Sequence, residues 1–158
     1  MNYFNYYGDY FPRCYDYSYY HNTNNYLKDY GGYPATFNIN KLSNENNNYR
    51  ISIFTGDNLQ VTLMSIPVGE SIGLEIHPDV EQILCVTEGN AVVEMGINKN
   101  NFDYKNEMHE NYMTIVPKNT WHNIINVGNI PLKLYSIYSP LNHEKGTIQK
   151  TKYNAWYQ

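Results

Sequence analysis

Two short blocks of the chain gather the residue types that do chemistry. The first runs Gly69, Glu75, His77, Gln82, Gly89, and the second Pro117, Asn119, His122, Asn126. Carboxylates and imidazoles can move protons or hold a divalent cation, and an amide oxygen can join them as a neutral donor. Glu75 and His77 lie two positions apart, so an extended backbone sends both side chains to one face. Taken singly, each has an ordinary explanation. Glu75 and His77 would be the wet face of an amphipathic strand, and His122 a hydrogen-bonded interior or rim histidine.

Those side chains need a scaffold, and the chain writes one in short β-type runs. Residues 50–55, 59–66, 72–77, 82–88, 91–97, 112–116, 122–126 and 132–138 read as strands. Turn residues such as Gly56-Asp57-Asn58, Pro78-Asp79 and Val127-Gly128-Asn129 divide them. No long window carries helical periodicity, so the reading is an all-β domain over 50–158, with both chemical blocks inside 69–126. Along 82–88, Gln82, Leu84 and Val86 alternate with Ile83, Cys85 and Thr87. Both faces of that run are largely apolar. A cover on the outward one is therefore expected, either a second subunit or the preceding segment.

Composition divides the 158 residues in the same way. Eleven of the eighteen tyrosines fall in residues 1–33, a polar and aromatic stretch with neither helix nor strand periodicity, which predicts a low-complexity tail. Residues 34–49 form an Asn-rich lead-in, read as loop over 38–48. Residues 1–50 carry four acids and four bases, so the whole net charge of −4 falls beyond them. No apolar run is long enough for a helical membrane span, and no basic patch is present to neutralise nucleic-acid phosphates. The basic and apolar regions of a secretory leader are not seen either. Two cysteines make neither a disulfide framework nor a CxxC zinc site. Cys85 reads as a buried packing thiol, and Cys14 as a residue able to cross-link chains under oxidation.

The spacing across the two blocks resembles that of the cupin family, whose motifs are G-x5-H-x-H-x(3,4)-E-x6-G and G-x5-P-x-G-x2-H-x3-N. The likeness covers residues 50–140 and implies a jelly-roll β-barrel or sandwich. Glu75 stands where the family has its first histidine, Gln82 where it has glutamate, and Asn111 and Asn119 where it has glycines. Asn is the non-glycine residue that best tolerates a positive φ, so both turns are expected to survive. The resemblance implies that Glu75, His77, Gln82 and His122 form a metal site in the barrel mouth. Two imidazoles, one carboxylate and one amide oxygen would replace the family's three imidazoles and one carboxylate. That set suits one divalent ion, zinc, iron, manganese or nickel, with Gln82 the weakest donor. Tyr138, Trp121 and Met64 are candidate pocket-lining residues, with core packing the favoured reading of Met64. His21, His109 and His143 lie outside both blocks and read as surface residues. A homodimer is expected, because Ile83 and Cys85 need cover.

Within the family, the runs 59–70 and 115–126 look like the stand-alone cupins labelled mannose-6-phosphate isomerase-like. That likeness implies a sugar or sugar-phosphate ligand, with isomerase-like or dioxygenase chemistry if the chain is an enzyme. The tail resembles low-complexity segments of bacterial spore-coat proteins, in which tyrosines stack and cross-link. It implies coat-protein partners and a coat location after synthesis in a bacterial cytoplasm. Nine Lys against two Arg, with abundant Asn and Ile, fits an AT-rich genome. Three readings stand together: a metal-dependent enzyme, a structural coat component, and a sugar-binding module without turnover. Neither nucleic acid nor membrane is expected as a partner.

Overall fold

The computed structural model describes residues 27–156; the readings made for residues 1–26, Cys14 and His21 included, lie outside them. The strands are β1 (Arg50–Thr55), β2 (Gln60–Ile66), β3 (Glu81–Glu88), β4 (Ala91–Gly96), β5 (Tyr104–Met108), β6 (Met113–Val116), β7 (Trp121–Asn126), β8 (Leu132–Ser139) and β9 (Ile148–Gln149). Helix α1 (Ile39–Glu45) precedes β1 and helix α2 (Lys152–Trp156) follows β9. A six-stranded sheet in the order β6-β3-β8-β2-β1-β9 packs on a three-stranded sheet, β5-β4-β7, with antiparallel pairing throughout. This is the all-β jelly-roll sandwich that the short strands anticipate.

Alternation decides what faces inward. On β2, Gln60, Thr62, Met64 and Ile66 share the inner face, opposite Tyr138, Ser136, Leu134 and Leu132 of β8. All eight are buried. The row runs from polar to apolar along the strands. Its apolar half joins Leu84 and Val86 of β3 with Ala91, Val93 and Ile124 of the opposite sheet in the main core. Each such large side chain contributes about 1.5–3 kcal/mol on burial. The polar half lines one end of the sandwich with hydrogen-bonding groups. A second cluster lies on the outer face, where Leu42 of α1 packs on Ile51, Ile53 and Leu63.

Three sequence expectations change. Residues 72–77 do not form a strand: Gly73 takes φ +88°, which breaks the extended run, and only isolated bridges at Ser71–Ile125 and Glu75–His122 tie the segment to β7. The loop read over 38–48 contains α1, whose ends the asparagines themselves build. Asn38 Oδ1 accepts from Lys41 N (3.0 Å) as N-cap, and Asn46 is the C-cap. Strand β5, Tyr-Lys-Asn-Glu-Met, escapes a pattern search because its first four residues are all exposed.

Both asparagines at family glycine positions adopt the left-handed region, Asn111 at φ 68° and Asn119 at φ 58°. Asn119→Gly is therefore expected to leave stability nearly unchanged, whereas Asn119→Val costs about 1–2 kcal/mol, read as a shift in the urea midpoint.

Residues 27–33, which composition gives to the tail, include a docked stretch. Tyr30 N donates to Ile53 O (2.8 Å). The Asp29 carboxylate accepts from Thr55 Oγ1 (2.6 Å), Gly31 N (2.8 Å) and Gly146 N (2.9 Å). Burial pushes the Asp29 carboxyl up, but these bonds, that of Thr55 first, outweigh it and hold the group below its ordinary value. A depressed carboxylate adds stability above its unfolded pKa and loses it as pH falls through the folded one. Asp29→Asn is thus expected to lower Tm at neutral pH, with the deficit shrinking as thermal melts move through the acid range.

Candidate metal centre

Pairing with β7 lays the first chemical block over the second. Glu75 N donates to His122 O (3.0 Å), His122 N donates to Glu75 O (2.9 Å), and Asn119 N donates to His77 O (2.9 Å). Backbone bonds thereby fix where the side chains start. One ligand atom from each of Glu75, His77 and His122 lies within 4.8 Å of the others. Glu75 Oε2 is 3.6 Å from His77 Nε2 and 3.9 Å from His122 Nε2, and the two rings are 5.2 Å apart. His122 is fully buried, while Glu75 and His77 keep 16% and 13% of their side chains exposed, which leaves the cluster open on one side.

Protonation states follow from the contacts. His122 Nδ1 lies 3.0 Å from Thr120 O. A carbonyl can only accept, so Nδ1 carries the hydrogen and Nε2 presents a lone pair. Burial holds His122 below the usual imidazole pKa, with His77 acting in the same direction and Thr120 and Glu75 opposing. Burial pushes the Glu75 carboxyl up, yet His77, Arg50 and His122 together bring it below the usual carboxylate value. A neutral imidazole and an ionised carboxylate are the states that metal binding requires. Among the described residues, neither His77 Nε2 nor His122 Nε2 has a hydrogen-bond partner. The His122 lone pair therefore meets a carboxylate oxygen with no donor between them, a repulsion that a cation removes. The residues fit a metal ion.

The other predicted site residues divide. Gln82 is buried on the inner wall opposite Tyr138; its Nε2 is 3.4 Å from Ser136 Oγ and its Oε1 has no partner among the described residues. Tyr138 is fully buried, 6.2 Å ring to ring from His77. Met64 belongs to the apolar core, as favoured. Trp121 does not line the site. It alternates with the buried His122, so it lies on the opposite face of β7, 5.5 Å from Lys99 Nζ. Cys85 is a buried free thiol.

Two residues that sequence reasoning missed belong here. His143 is not a surface residue: its ring packs edge-on against Tyr138 at 5.2 Å. Gln60 holds it there, Oε1 accepting from His143 N and Nε2 donating to His143 O, both at 2.9 Å. Arg50, at 4% exposure, places Nη2 3.5 Å from Glu75 Oε1. The signal for Arg50 was its rarity, one of two arginines in the chain, opening a strand that leads inward. His109, by contrast, is exposed as expected.

Two antiparallel sheets enclosing a His–carboxylate cluster at one end define a class: jelly-roll barrels built to hold an ion or small molecule. Residues 62–138 match the Cupin domain. Protein YrkC of Bacillus subtilis (strain 168) is 48% identical over 136 residues, 86% of this chain and 73% of that one. Protein L612 of Acanthamoeba polyphaga mimivirus is 40% identical over 112 residues, 70% of this chain and 68% of that one. The crystal structure of BH2720 from Bacillus halodurans superposes with a TM-score of 0.81 at 48% identity, covering 82% of this chain and 98% of that one. The chain belongs to the cupin family. The YrkC match is longer than the stretch from Arg50 to Gln158, so part of the preceding segment is shared as well. Among the described residues, no helix is long and apolar enough to cross a membrane.

Proposed function

We propose that this cupin is a metal-dependent enzyme that takes a small, oxygen-rich molecule into the polar end of its barrel. Glu75, His77 and His122 hold one divalent first-row ion, and the Gln82 amide oxygen, unpartnered among the described residues, is left for the bound molecule. The observation that carries this reading is the two buried imidazole nitrogens, 3.6 and 3.9 Å from one carboxylate oxygen, that have no hydrogen-bond partner among the described residues. Zinc, iron, manganese or nickel held there would supply Lewis acidity at coordination positions that three protein donors leave open. The chain's own residues prepare the site. Thr120 fixes the His122 tautomer, Arg50 favours the ionised Glu75, and Tyr138 closes the inner wall.

Of the reactions the resemblance implies, sugar-phosphate isomerisation also needs a base to carry the proton. Outside the ligand set, His143 is the imidazole bordering the site, and burial, with Arg50 and His77 adding to it, lowers its pKa to about 3. It is neutral but weakly basic. Dioxygenase-type chemistry, which asks for open metal positions rather than a separate base, has the better support. Elemental analysis of full-length protein purified without chelator tests the metal reading. About one ion per chain is expected, and protein still metal-free after incubation with each of the four ions overturns it.

The eleven tyrosines of residues 1–33 support a second reading, attachment to a bacterial spore coat through coat-protein partners. A chain beginning at Leu27 is then expected to keep its metal and lose coat incorporation; incorporation without the segment overturns it. Exposed Met113 and Ile115 on edge strand β6 would suit a second subunit.

A further inference from the structure

We propose that the polar end of the barrel is a subsite for a small hydroxycarboxylate, its carboxylate taken by Arg50 and its hydroxyl by Gln82, Tyr138 and Thr62. The proposal rests on the metal-dependent reading and names its substrate class. Arg50 is buried, with Nη1 donating to Gln149 Oε1 (3.0 Å) and the guanidinium 5.3 Å from the Tyr49 ring. Its Nε has no partner among the described residues. Nε and Nη2 form the side-on edge of a guanidinium, which accommodates a planar carboxylate through two parallel bonds. Here that edge meets Glu75 through one long contact and keeps one donor idle.

Charge points the same way. A divalent ion and Arg50 together bring three positive charges against the single negative charge of Glu75, since imidazole ligands are neutral. Among the described residues, Glu75 is the carboxylate that faces Arg50, His77 and His122. A buried excess of positive charge is costly, and an anionic ligand relieves it.

The hydroxyl follows from the inner wall. Among the described residues, Gln82 Oε1 has no hydrogen-bond partner, and the buried Thr62 Oγ1 and Tyr138 Oη have only each other and the Ser136 hydroxyl at the edge of hydrogen-bond geometry. Strand register gathers them, with Gln82 opposite Tyr138 and Thr62 opposite Ser136. Buried polar groups normally find partners. An amide oxygen needs a donor; a hydroxy acid carries its hydroxyl on a carbon separate from the carboxylate, whereas the P–OH of hydrogen phosphate shares one tetrahedral phosphorus with the oxyanions that would face Arg50. A planar acid bearing a hydroxyl therefore satisfies the site better than phosphate.

Calorimetric titration of the full-length, metal-loaded protein with lactate, propionate, lactamide and inorganic phosphate tests this, with the metal content of every sample recorded. Lactate is expected to bind about fivefold tighter than propionate, which lacks the hydroxyl, and about 10- to 100-fold tighter than uncharged lactamide. Arg50→Gln should bring lactate down to the lactamide level, and Tyr138→Phe should narrow the lactate–propionate gap to about twofold. Metal-loaded wild-type protein that binds lactamide or phosphate as well as lactate, or Arg50→Gln protein that binds lactate unchanged, overturns the subsite and leaves the metal reading standing. Protein that takes up no metal overturns that reading, and this one with it. The wild-type ligand series decides even where a variant does not fold.

Discussion

His122→Ala is expected to strip the protein of metal. Content should fall from about one ion per chain to a trace, and affinity by more than about 100-fold, because losing even an outer partner of a ligand costs 10- to 100-fold. His122 presents a tautomer fixed by Thr120, at full burial, to a carboxylate already ionised. Among the described residues, His122 shares the cluster with Glu75 and His77, so its loss leaves two of the three converging donors. Removing a buried ring also opens a cavity, so His77→Ala is the companion variant, taken at a partly exposed position. Thermal melts give an independent reading. Metal at 100 times its Kd should stabilise chelator-treated wild-type protein by about 2.7 kcal/mol, and should leave either variant unmoved. Variants that keep both metal and the metal-dependent Tm shift would sink the site.

How much of this was written in the sequence depends on the range of the interaction concerned. Strand positions were legible because alternation is local: β1, β2, β3, β4, β6, β7 and β8 lie where apolar and polar residues alternate between turn signals. Edge strand β5 offered no alternation, and α1 was hidden by asparagines that cap it rather than unravel it. Within the site, Glu75, His77 and His122 were legible by spacing, although the expected strand over 72–77 is a loop tied to β7 by an isolated bridge at Glu75–His122, and that bridge rather than strand alternation brings the side chains together. Arg50 and His143 were not. Arg50 reaches Glu75 only after β1 has paired with β2 and β9, and His143 turns inward only because Gln60, distant in sequence, binds both sides of its backbone. Trp121 was misplaced by nearness in sequence, where strand geometry sends adjacent residues to opposite faces.

Lys133→Ala is expected to destabilise the domain by about 2–4 kcal/mol while leaving metal content unchanged. Lys133 lies between inward-facing Leu132 and Leu134, so it points out of the barrel, yet it is only 6% exposed. The cover is the lead-in segment, which lies over part of the outward face of β3 and β8, the face that alternation along 82–88 leaves in need of one. The Lys133 ammonium donates to Asn46 O, at the C-terminal cap of α1, and to Asn47 Oδ1 (3.3 Å). A cation at a helix C-terminus is favoured by the helix dipole as well as by the hydrogen bond. Beside it, Thr87 Oγ1 lies 2.8 Å from Ser43 Oγ and 3.1 Å from Lys133 O, so α1 is pinned to β3 and β8 together. Truncation to Ala leaves a buried carbonyl without its donor and removes the apolar stem. Lys133→Met keeps the stem and loses only the ammonium, so its smaller deficit isolates the hydrogen bonds from the packing. Because α1 rests on the outer cluster of Leu42, Ile51, Ile53 and Leu63, and the ligand atoms face the interior, the urea midpoint should fall while the ion stays. An unchanged midpoint in Lys133→Ala would mean that the helix is held by apolar contact alone. Loss of metal in the same variant would mean that the lead-in helix and the barrel interior are coupled, contrary to the separation of inner and outer faces on which this expectation depends.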